Sequence, residues 1–296
     1  MATRLVLGQS LAIERVGKSI LQPSRPVRQN SANADFIEEI RNGTNLVFIT
    51  AHQDDEIYVA PLLAFAADHA RAAILCATGG ESGGCLLANA APLTLREVRT
   101  RELHKAAQLI GAEATVFGCR NGTSTAHPDG IAVFESYADS VARWKASGEG
   151  AHTPDQVAAR WRTECPEFME ELREHIEALT PCIVVTFTKD LGMIGHNEHR
   201  AVALVVHNLF SGDPPPDAAL YSVVHPDRSR EDNVRIHAKH LQEIGGRDYL
   251  QVALDAFALY ESQFGPIGCP ENKDALATFG HFAETMHLRP AEGGTK

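Results

Sequence analysis

The sequence of 296 residues contains no long apolar run and no pattern of paired cysteines. Its longest apolar stretch, residues 57–67, is interrupted by Tyr58 and Pro61 and is far shorter than the ~20 residues that span a bilayer. No apolar segment follows the scattered basic residues of the first thirty positions, so we expect no secretory signal. The six cysteines form no CxxC pair, which predicts free thiols in a reducing compartment and a cytoplasmic protein.

Basic residues are also scarce relative to acidic ones. Lys and Arg number 27 against 38 Asp and Glu, which gives a formal net charge of −11. This charge repels nucleic-acid phosphates and anionic lipids, so neither nucleic acid nor a membrane is expected as a partner. The composition, 44% hydrophobic and 22% charged, is typical of a folded globular protein and leaves a homo-oligomer open.

Short apolar runs alternate with amphipathic stretches along the middle of the chain. Strands are predicted at residues 45–51, 73–78, 114–118, 182–188 and 219–224. Helices are predicted at residues 59–69, 95–110, 167–179 and 198–210, and the second begins at a capping box formed by Thr94 and Glu97. This alternation predicts an α/β, Rossmann-like fold, with a mostly parallel sheet flanked by helices and its site at the carboxyl ends of the strands.

Three parts of the chain do not follow this alternation. Residues 1–36 are weakly patterned and are interpreted as an arm on the outside. Residues 121–166 contain several Gly and Pro and fit neither the helix nor the strand period, which predicts an insertion over the strand ends. The part from residue 213 to 296 is a C-terminal extension whose strands cannot be ordered. We therefore expect one domain, residues 1–296, with a core at about 45–210.

The first candidate site directly follows the first predicted strand and consists of His52-Gln53-Asp54-Asp55-Glu56. Three neighbouring carboxylates repel one another unless a cation offsets their charge, and a divalent metal ion would do so. A His-x-x-Asp pair can place one nitrogen and one oxygen on the same ion and leave Asp54 beside it as a base. The alternative is an acidic helix N-terminus, where the helix dipole favours carboxylates.

The second candidate site, HNEHR at residues 196–200, follows the strand at 182–188 and begins the next helix. His196 and His199 lie three residues apart and can face one cleft. With the first site they offer two imidazoles and a carboxylate, with a fourth position open, which is typical of catalytic rather than structural zinc. The alternative is that these are ordinary core or surface histidines, of which the chain has 14, and that the motifs are only structural.

In four motifs the chain resembles the PIG-L/LmbE-like deacetylases, zinc-dependent hydrolases that remove acetyl groups from N-acetylglucosamine units. The motifs are ITAHQDDE at 49–56, ATGGESGG at 77–84, REVRTRELHKAAQLIGA at 96–112 and GHNEHRAV at 195–202. The resemblance implies Zn2+ as the cofactor, held by His52, Asp55 and His199. It also implies that Asp54 is the general base and that His196 stabilises the oxyanion or serves as an acid.

The resemblance is weaker on the substrate side. Arg99 matches a family arginine that contacts the substrate, and Asn121 stands where many members carry an Asp that touches sugar hydroxyls or orients the histidine. Glu81 lies in the GGESGG loop, which lacks the pattern of a phosphate-binding loop, and is a candidate acceptor for a sugar hydroxyl. An amino-sugar small molecule is therefore the expected substrate.

Several positions depart from the family pattern while the metal residues are kept. Gln53 and Asn197-Glu198 replace Pro and Pro-Asp, and Ile194 stands where some members have a catalytic Tyr. We interpret these changes as altered sugar recognition by a zinc-dependent N-deacetylase in which water attacks the amide. Two alternatives stay open: an amidase of mycothiol-type thiol conjugates that uses the same site, and a non-catalytic protein that binds a sugar or a metal.

Overall fold

The computed structural model describes residues 31–83, 85–87, 93–121 and 153–291. The predictions for residues 1–30 and for most of the insertion, residues 122–152, lie outside these ranges. Within them, seven strands form one sheet in the order β3-β2-β1-β4-β5-β7-β6. The strands are β1 Asn45–Thr50, β2 Ala72–Thr78, β3 Glu113–Cys119, β4 Cys182–Phe187, β5 Ala218–Val223, β6 Val234–His237 and β7 Thr285–Pro290.

The first five strands are parallel, while β7 runs antiparallel to β5 and to β6. Val47 of β1 lies in register between Ala73 of β2 and Val184 of β4. The order 3-2-1-4-5 is that of the Rossmann fold, so the predicted fold class is confirmed. The strand order reverses direction between β1 and β4, which is where ligands bind in such sheets.

Nine helices of eight residues or more accompany the sheet in the described part of the chain. They are α1 Ser31–Arg41, α2 Ala60–His69, α3 Leu95–Ile110, α4 Pro154–Glu164, α5 Phe168–Glu177, α6 Asn197–Gly212, α7 Ala238–Gly245, α8 Tyr249–Phe257 and α9 Pro270–Glu284. Shorter helical turns occur at Asp55–Tyr58, Gly192–Gly195, Pro226–Arg228 and Glu261–Phe264. None of the described helices is long and apolar enough to cross a bilayer.

The predicted capping box at the start of α3 is confirmed. The Thr94 hydroxyl accepts from the backbone N–H of Glu97 at 3.3 Å, and the Glu97 carboxylate accepts from the backbone N–H of Thr94 at 2.7 Å. The helix ends at Gly111, whose φ of 93° is the left-handed conformation that glycine adopts without a steric penalty. These two ends set the position of α3, which carries Arg99 beside the strand ends.

The core of the protein lies on both faces of β1 and β4. All six residues of β4 are buried, as are five of the six in β1, which agrees with their continuous apolar runs. Phe48 and Phe187 contact each other edge to face with ring centroids 5.8 Å apart. Full burial of one such side chain contributes about 1.5–3 kcal/mol, so the two strands that carry the candidate motifs are firmly held.

The last part of residues 121–166, in which the sequence shows neither period, forms α4. The helix begins at a capping box of Thr153 and Gln156, and Pro154 occupies its first turn. Its buried residues recur at helical spacing, but the many charged residues between them obscure that period in the sequence. Trp161 is fully buried and donates its ring N–H to the carbonyl of Arg120 at 2.6 Å, so it belongs to the core.

The two ends of the described chain also contain more structure than predicted. Residues 31–36, which were assigned to the arm, begin α1, and Phe36 packs edge to face on Tyr221 of β5 with centroids 5.0 Å apart. The C-terminal extension adds β7 and β6 to the edge of the sheet. In β6 only Val234 and Ile236 are buried, an alternation too short to be recognised in the sequence.

Candidate active site

The two candidate motifs meet at the reversal point of the sheet. His52 lies two residues after the end of β1, and His199 lies in the first turn of α6, which follows β4. Because β1 and β4 are adjacent parallel strands, their carboxyl ends bring both histidines to the same edge. Nδ1 of His52 lies 3.2 Å from Nε2 of His199.

The outer nitrogens of these two histidines are bound by acceptors. Nε2 of His52 lies 2.6 Å from a carboxylate oxygen of Glu198, and Nδ1 of His199 lies 2.8 Å from the carbonyl oxygen of Gly192. A carboxylate and a carbonyl only accept, so these nitrogens carry the protons. In the neutral rings, the two inner nitrogens therefore direct lone pairs toward each other, an arrangement that a shared metal ion stabilises.

Asp55 adds an oxygen to the same cluster. One of its carboxylate oxygens lies 3.0 Å from Nε2 of His199, and the other lies 3.6 Å from Nδ1 of His52. Neighbouring ligands around tetrahedral zinc are about 3.3 Å apart, given metal–ligand distances of about 2.0–2.1 Å. The 3.2 Å between the two nitrogens and the 3.0 Å between Nε2 of His199 and the first Asp55 oxygen are both close to this spacing.

The surroundings of Asp55 hold it as a carboxylate. The second oxygen accepts from the backbone N–H of His52 at 2.8 Å and from the Thr50 hydroxyl at 2.5 Å. Burial alone would raise the pKa of Asp55, but His199 and His52 lower it well below its usual range. Burial likewise opposes protonation of His52, yet the carboxylates of Glu198 and Asp55 raise its pKa to about 10. The site thus stabilises a positive charge, a proton or a metal ion, between the facing atoms of His52, His199 and Asp55.

His196 lies at the rim of the cluster. One ring nitrogen from each of His52, His196 and His199 falls within 4.8 Å of the others, a cluster able to hold a metal ion. Nδ1 of His196 accepts from the backbone N–H of Glu198 at 3.3 Å, so the ring also caps α6. Its side chain is exposed, unlike that of His199, so it faces the side from which a ligand would arrive.

Asp54 has an uncommon backbone conformation. Its φ of 96° and ψ of −18° lie in the left-handed region, which residues other than glycine rarely adopt. Burial raises the pKa of its carboxyl well above the usual range, and the charges of Asp55 and Glu56 raise it further. A carboxylate with a raised pKa beside a metal cluster is suited to accept a proton and release it again.

Glu56 and Tyr260 form a buried pair beneath Asp54 that the sequence analysis did not identify. The Tyr260 hydroxyl donates to one oxygen of Glu56 at 2.5 Å. Burial raises the pKa of Glu56 to about 7, although the hydrogen bond from Tyr260 acts in the opposite direction. Glu198 was missed as well, and the signal for it was its place between two candidate histidines.

Arg99 is buried within the glycine-rich loop. Its guanidinium donates to the carbonyl of Gly80 at 2.9 Å. A Cβ on Gly83 would lie 2.3 Å from a guanidinium nitrogen, and a Cβ on Gly80 would lie 2.4 Å from Oε1 of Gln53. The glycines therefore let the loop pass close to Arg99 on one side and to the first motif on the other.

Glu81 and Asn121 lie together beside this loop. A carboxylate oxygen of Glu81 accepts from the backbone N–H of Asn121 at 3.1 Å. The other oxygen of Glu81, which lies 3.8 Å from the guanidinium of Arg96, and the side-chain oxygen of Asn121 are buried without a hydrogen bond from the described residues. Buried acceptors of this kind are normally satisfied, so donors on a polar ligand would find two acceptors here.

The departures from the motif pattern have different environments. Gln53 is fully buried and its amide donates to the carbonyl of Thr78 at 2.7 Å, so it connects two loops. The Asn197 oxygen accepts from Arg200 at 3.3 Å, a contact within α6. Ile194 is 50% exposed two residues before His196 and presents an apolar side chain at the rim.

Comparisons with known proteins identify a family. Residues 47–210 match the family model described as PIG-L: GlcNAc-PI de-N-acetylase. The chain is 26% identical over 187 residues to 1D-myo-inositol 2-acetamido-2-deoxy-alpha-D-glucopyranoside deacetylase 1 of Catenulispora acidiphila. That match covers 60% of this chain and 49% of the relative, so the chain spans about half the length of the curated relative it matches.

Two solved structures share the fold. The N,N'-diacetylchitobiose deacetylase from Pyrococcus horikoshii superposes with a TM-score of 0.53 at 14% identity, over 89% of this chain and 91% of that one. A deacetylase from the biosynthesis pathway of teicoplanin also has a TM-score of 0.53, at 15% identity over 85% of this chain and 100% of that one. At these identities the likeness concerns the fold alone.

Proposed function

The chain belongs to the PIG-L family of GlcNAc-PI de-N-acetylases, and from this membership we propose that it is a zinc-dependent N-deacetylase of an N-acetylglucosamine-containing small molecule. The observation that carries the proposal is the pair of imidazole nitrogens of His52 and His199, which face each other at 3.2 Å beside the Asp55 carboxylate. This pair stands next to Asp54, a carboxylate with a raised pKa.

In this proposal His52, Asp55 and His199 hold Zn2+. The fit is supported by the donor set, in which the two nitrogens lie 3.2 Å apart and one Asp55 oxygen lies 3.0 Å from Nε2 of His199. It is also supported by the outer partners that orient both rings. Zinc, when bound, supplies Lewis acidity to the attacking water and to the amide carbonyl. Three protein ligands leave a position open for these groups.

Asp54 acts as the general base. It takes a proton from the water whose oxygen bonds to the amide carbon, and it returns that proton to the nitrogen as the carbon–nitrogen bond breaks. The products are acetate and a free amine. A positioned base of this kind contributes about 10²–10⁴-fold to the rate.

His196 stabilises the oxyanion that forms on the amide oxygen. Its Nδ1 accepts from the backbone of Glu198, so in the neutral ring Nε2 carries the proton and is a donor. The ring lies 4.8 Å from the rings of His52 and His199, centroid to centroid, at the exposed side of the cluster. A donor held in advance at this place lowers the barrier without reorganisation.

Arg99, Glu81 and Asn121 bind the sugar. The two buried oxygens of Glu81 and Asn121 that lack a hydrogen bond support this role, since sugar hydroxyls are donors. The names of the relatives support the substrate class, because the matching family and the Catenulispora relative are each described as deacetylating an acetamido sugar compound.

Metal content and acetate release test the proposal together. We expect about one zinc per chain in the wild type by mass spectrometry, little in His199→Ala, and a wild-type level in Asp54→Asn. Asp54→Asn should lower the rate of acetate release from N-acetylglucosamine glycosides by at least about 10²-fold. Asp255→Asn, which changes an exposed carboxylate on α8, is the matched control and should retain activity.

Other outcomes would contradict parts of the proposal. Turnover that persists in Asp54→Asn would remove its assignment as the base. Release of amine only from a thiol conjugate assayed in parallel would make the protein an amidase of such conjugates. A zinc-loaded protein that binds amino sugars and releases no product from either substrate would be a binding protein.

A further inference from the structure

We propose that the segment between α8 and α9, residues 258–264, is a positioning element of the active site. Through Tyr260 and Gln263 it holds the peptide bond between Gln53 and Asp54 in the orientation that directs the Asp54 carboxylate. The inference rests on the proposed function of Asp54. The segment lies outside residues 47–210, the part of the chain that matches the family model.

Both polar atoms of the 53–54 peptide are bound by side chains. The Gln53 carbonyl accepts from the amide of Gln263 at 2.9 Å. The backbone N–H of Asp54 donates to one oxygen of Glu56 at 3.2 Å, and the other oxygen of Glu56 accepts from the Tyr260 hydroxyl at 2.5 Å. The segment therefore holds one atom of this peptide directly and the other through Glu56.

The conformation of Asp54 explains why this peptide must be held. With φ at 96°, Asp54 occupies a region that an L-residue keeps only when its surroundings impose it. The angle φ relates the 53–54 peptide plane to the direction of the Asp54 side chain. Two hydrogen bonds that fix the plane therefore also fix where the carboxylate points.

The groups on the N–H side of this peptide are shielded from water, while Gln263 on the carbonyl side is partly buried. Tyr260 is 0% exposed, Glu56 is 1% exposed and Gln53 is 0% exposed. Water therefore cannot replace the hydrogen bond that Tyr260→Phe removes, and a buried oxygen of Glu56 would be left without a donor. The 53–54 peptide would then relax toward a less strained φ and move the carboxylate of Asp54.

The segment is itself anchored on both sides. The backbone N–H and the hydroxyl of Ser262 donate to the Glu102 carboxylate at 2.8 and 2.6 Å. The carbonyl of Ser262 accepts from the backbone N–H of Leu86 at 2.8 Å. Glu102 lies on α3, three residues after Arg99. The segment therefore connects the loop that carries Asp54 to the helix that carries Arg99, a proposed substrate-binding residue.

Steady-state kinetics of Tyr260→Phe and Gln263→Met test the proposal. Each variant removes one donor and keeps the size of the side chain, so we expect kcat to fall by about tenfold or more, as small displacements of a catalytic group do. KM and zinc content should stay within about twofold of wild type, since neither residue is among the proposed zinc ligands or sugar-binding residues. In an Asp54→Asn background, the same changes should cause no further loss of kcat, because the group they position is gone.

Tyr249→Phe is the matched control. Tyr249 is also fully buried, and its hydroxyl donates to the Asp68 carboxylate at 2.9 Å between α8 and α2, away from the metal cluster. If Tyr260→Phe acted only by lowering stability, Tyr249→Phe would lower kcat as well. If it acts by displacing Asp54, only Tyr260→Phe lowers kcat. We expect Tyr249→Phe to lower the melting temperature and leave kcat unchanged.

Hydrogen exchange of the metal-free protein provides a readout that does not depend on activity. Peptides that cover residues 51–58 should exchange faster in Tyr260→Phe and Gln263→Met than in the wild type or Tyr249→Phe. Unchanged exchange, or a loss of kcat that persists in the Asp54→Asn background, would overturn the inference. A wild type without turnover would contradict the proposed function, and the exchange result would still decide the inference.

Discussion

At the scale of single residues, the atoms that bind the outer nitrogens of His52 and His199 determine which nitrogens face the cluster. Glu198 binds Nε2 of His52 at 2.6 Å, and the Gly192 carbonyl binds Nδ1 of His199 at 2.8 Å. Such outer partners fix the tautomer and orientation of a ligand histidine and raise its basicity. Phe187 also stacks on His199 with centroids 4.3 Å apart and an interplanar angle of 6°, which restricts rotation of that ring.

Glu198→Ala should weaken zinc binding by about 10–100-fold, because His52 loses the acceptor that orients it. Glu198→Gln should bind zinc closer to the wild-type affinity, since its amide oxygen can still accept from Nε2 of His52. Competition with a chelator of known affinity measures both. Glu243→Ala, which removes an exposed carboxylate beside His240, is the control, and an affinity of Glu198→Ala equal to that of the control would contradict this role.

At the scale of helices and strands, the site depends on how α6 is held after β4. The helix begins at Asn197, directly after His196, whose ring caps its first turn, and it places His199 on the side facing β1. Farther along, Nε2 of His207 lies 3.0 Å from the hydroxyl of Ser222 on β5. This contact connects α6 to the neighbouring strand and leaves an imidazole largely buried.

His207 should make the protein less stable in acid. Burial lowers its pKa in the folded state, and the charge of Lys189 acts in the same direction. As the pH falls below about 6.5, the unfolded chain takes up a proton that the folded chain binds less well, so the free energy of unfolding decreases. The contribution of His207 to stability is therefore complete above this pH and is lost on acidification.

Denaturant unfolding at several pH values between roughly pH 7.5 and pH 5.5 measures this effect. His207→Gln should lose less stability on acidification than the wild type does, because it has no group to titrate. The control is His104→Gln, which removes an exposed histidine from α3 and should keep the wild-type response. If His207→Gln lost as much stability in acid as the wild type does, His207 would not be a cause of that loss.

At the scale of the whole molecule, the site is assembled from parts of the chain that are far apart in sequence. The loops after β1 and β4 supply the proposed zinc ligands, and α3 and the glycine-rich loop supply Arg99 and Glu81. The segment before α9 contacts the loop that carries Asp54, the proposed base. The start of α1 is tied to the C-terminal strands, since the Asn33 side chain bonds both backbone polar groups of Arg235. A ligand that connects these parts should therefore stabilise the whole fold.

Removal of zinc should lower the melting temperature. A ligand that binds only the folded state stabilises it by about 4 kcal/mol when present at roughly 1,000 times its dissociation constant. Calorimetric scans with and without a chelator measure the change, and a single transition would support the prediction of one domain, residues 1–296. His199→Ala should not respond to the chelator. An equal melting temperature for the zinc-loaded and chelated wild type would contradict a metal that connects the loops after β1 and β4.

The sequence by itself determined the alternation of strands and helices, the start and end of α3, and both histidine motifs. Each of these is a local pattern, in which neighbouring residues carry the whole signal, and parallel strand order then places the motifs at one edge. The helix at Pro154–Glu164 and strand β6 were not predicted, because charged residues dilute the period of the first and the second is only four residues long.

Only the tertiary structure decided which groups complete the site. Tyr260 is 204 residues from Glu56, and Gln263 is 210 residues from Gln53, so no local pattern connects them. In the sequence, only its place between two candidate histidines distinguishes Glu198 from an acidic residue on the surface. The fold brings its carboxylate within 2.6 Å of Nε2 of His52. Hydrogen bonds between distant residues depend on how the whole chain packs, and the sequence near either partner carries no information about the other.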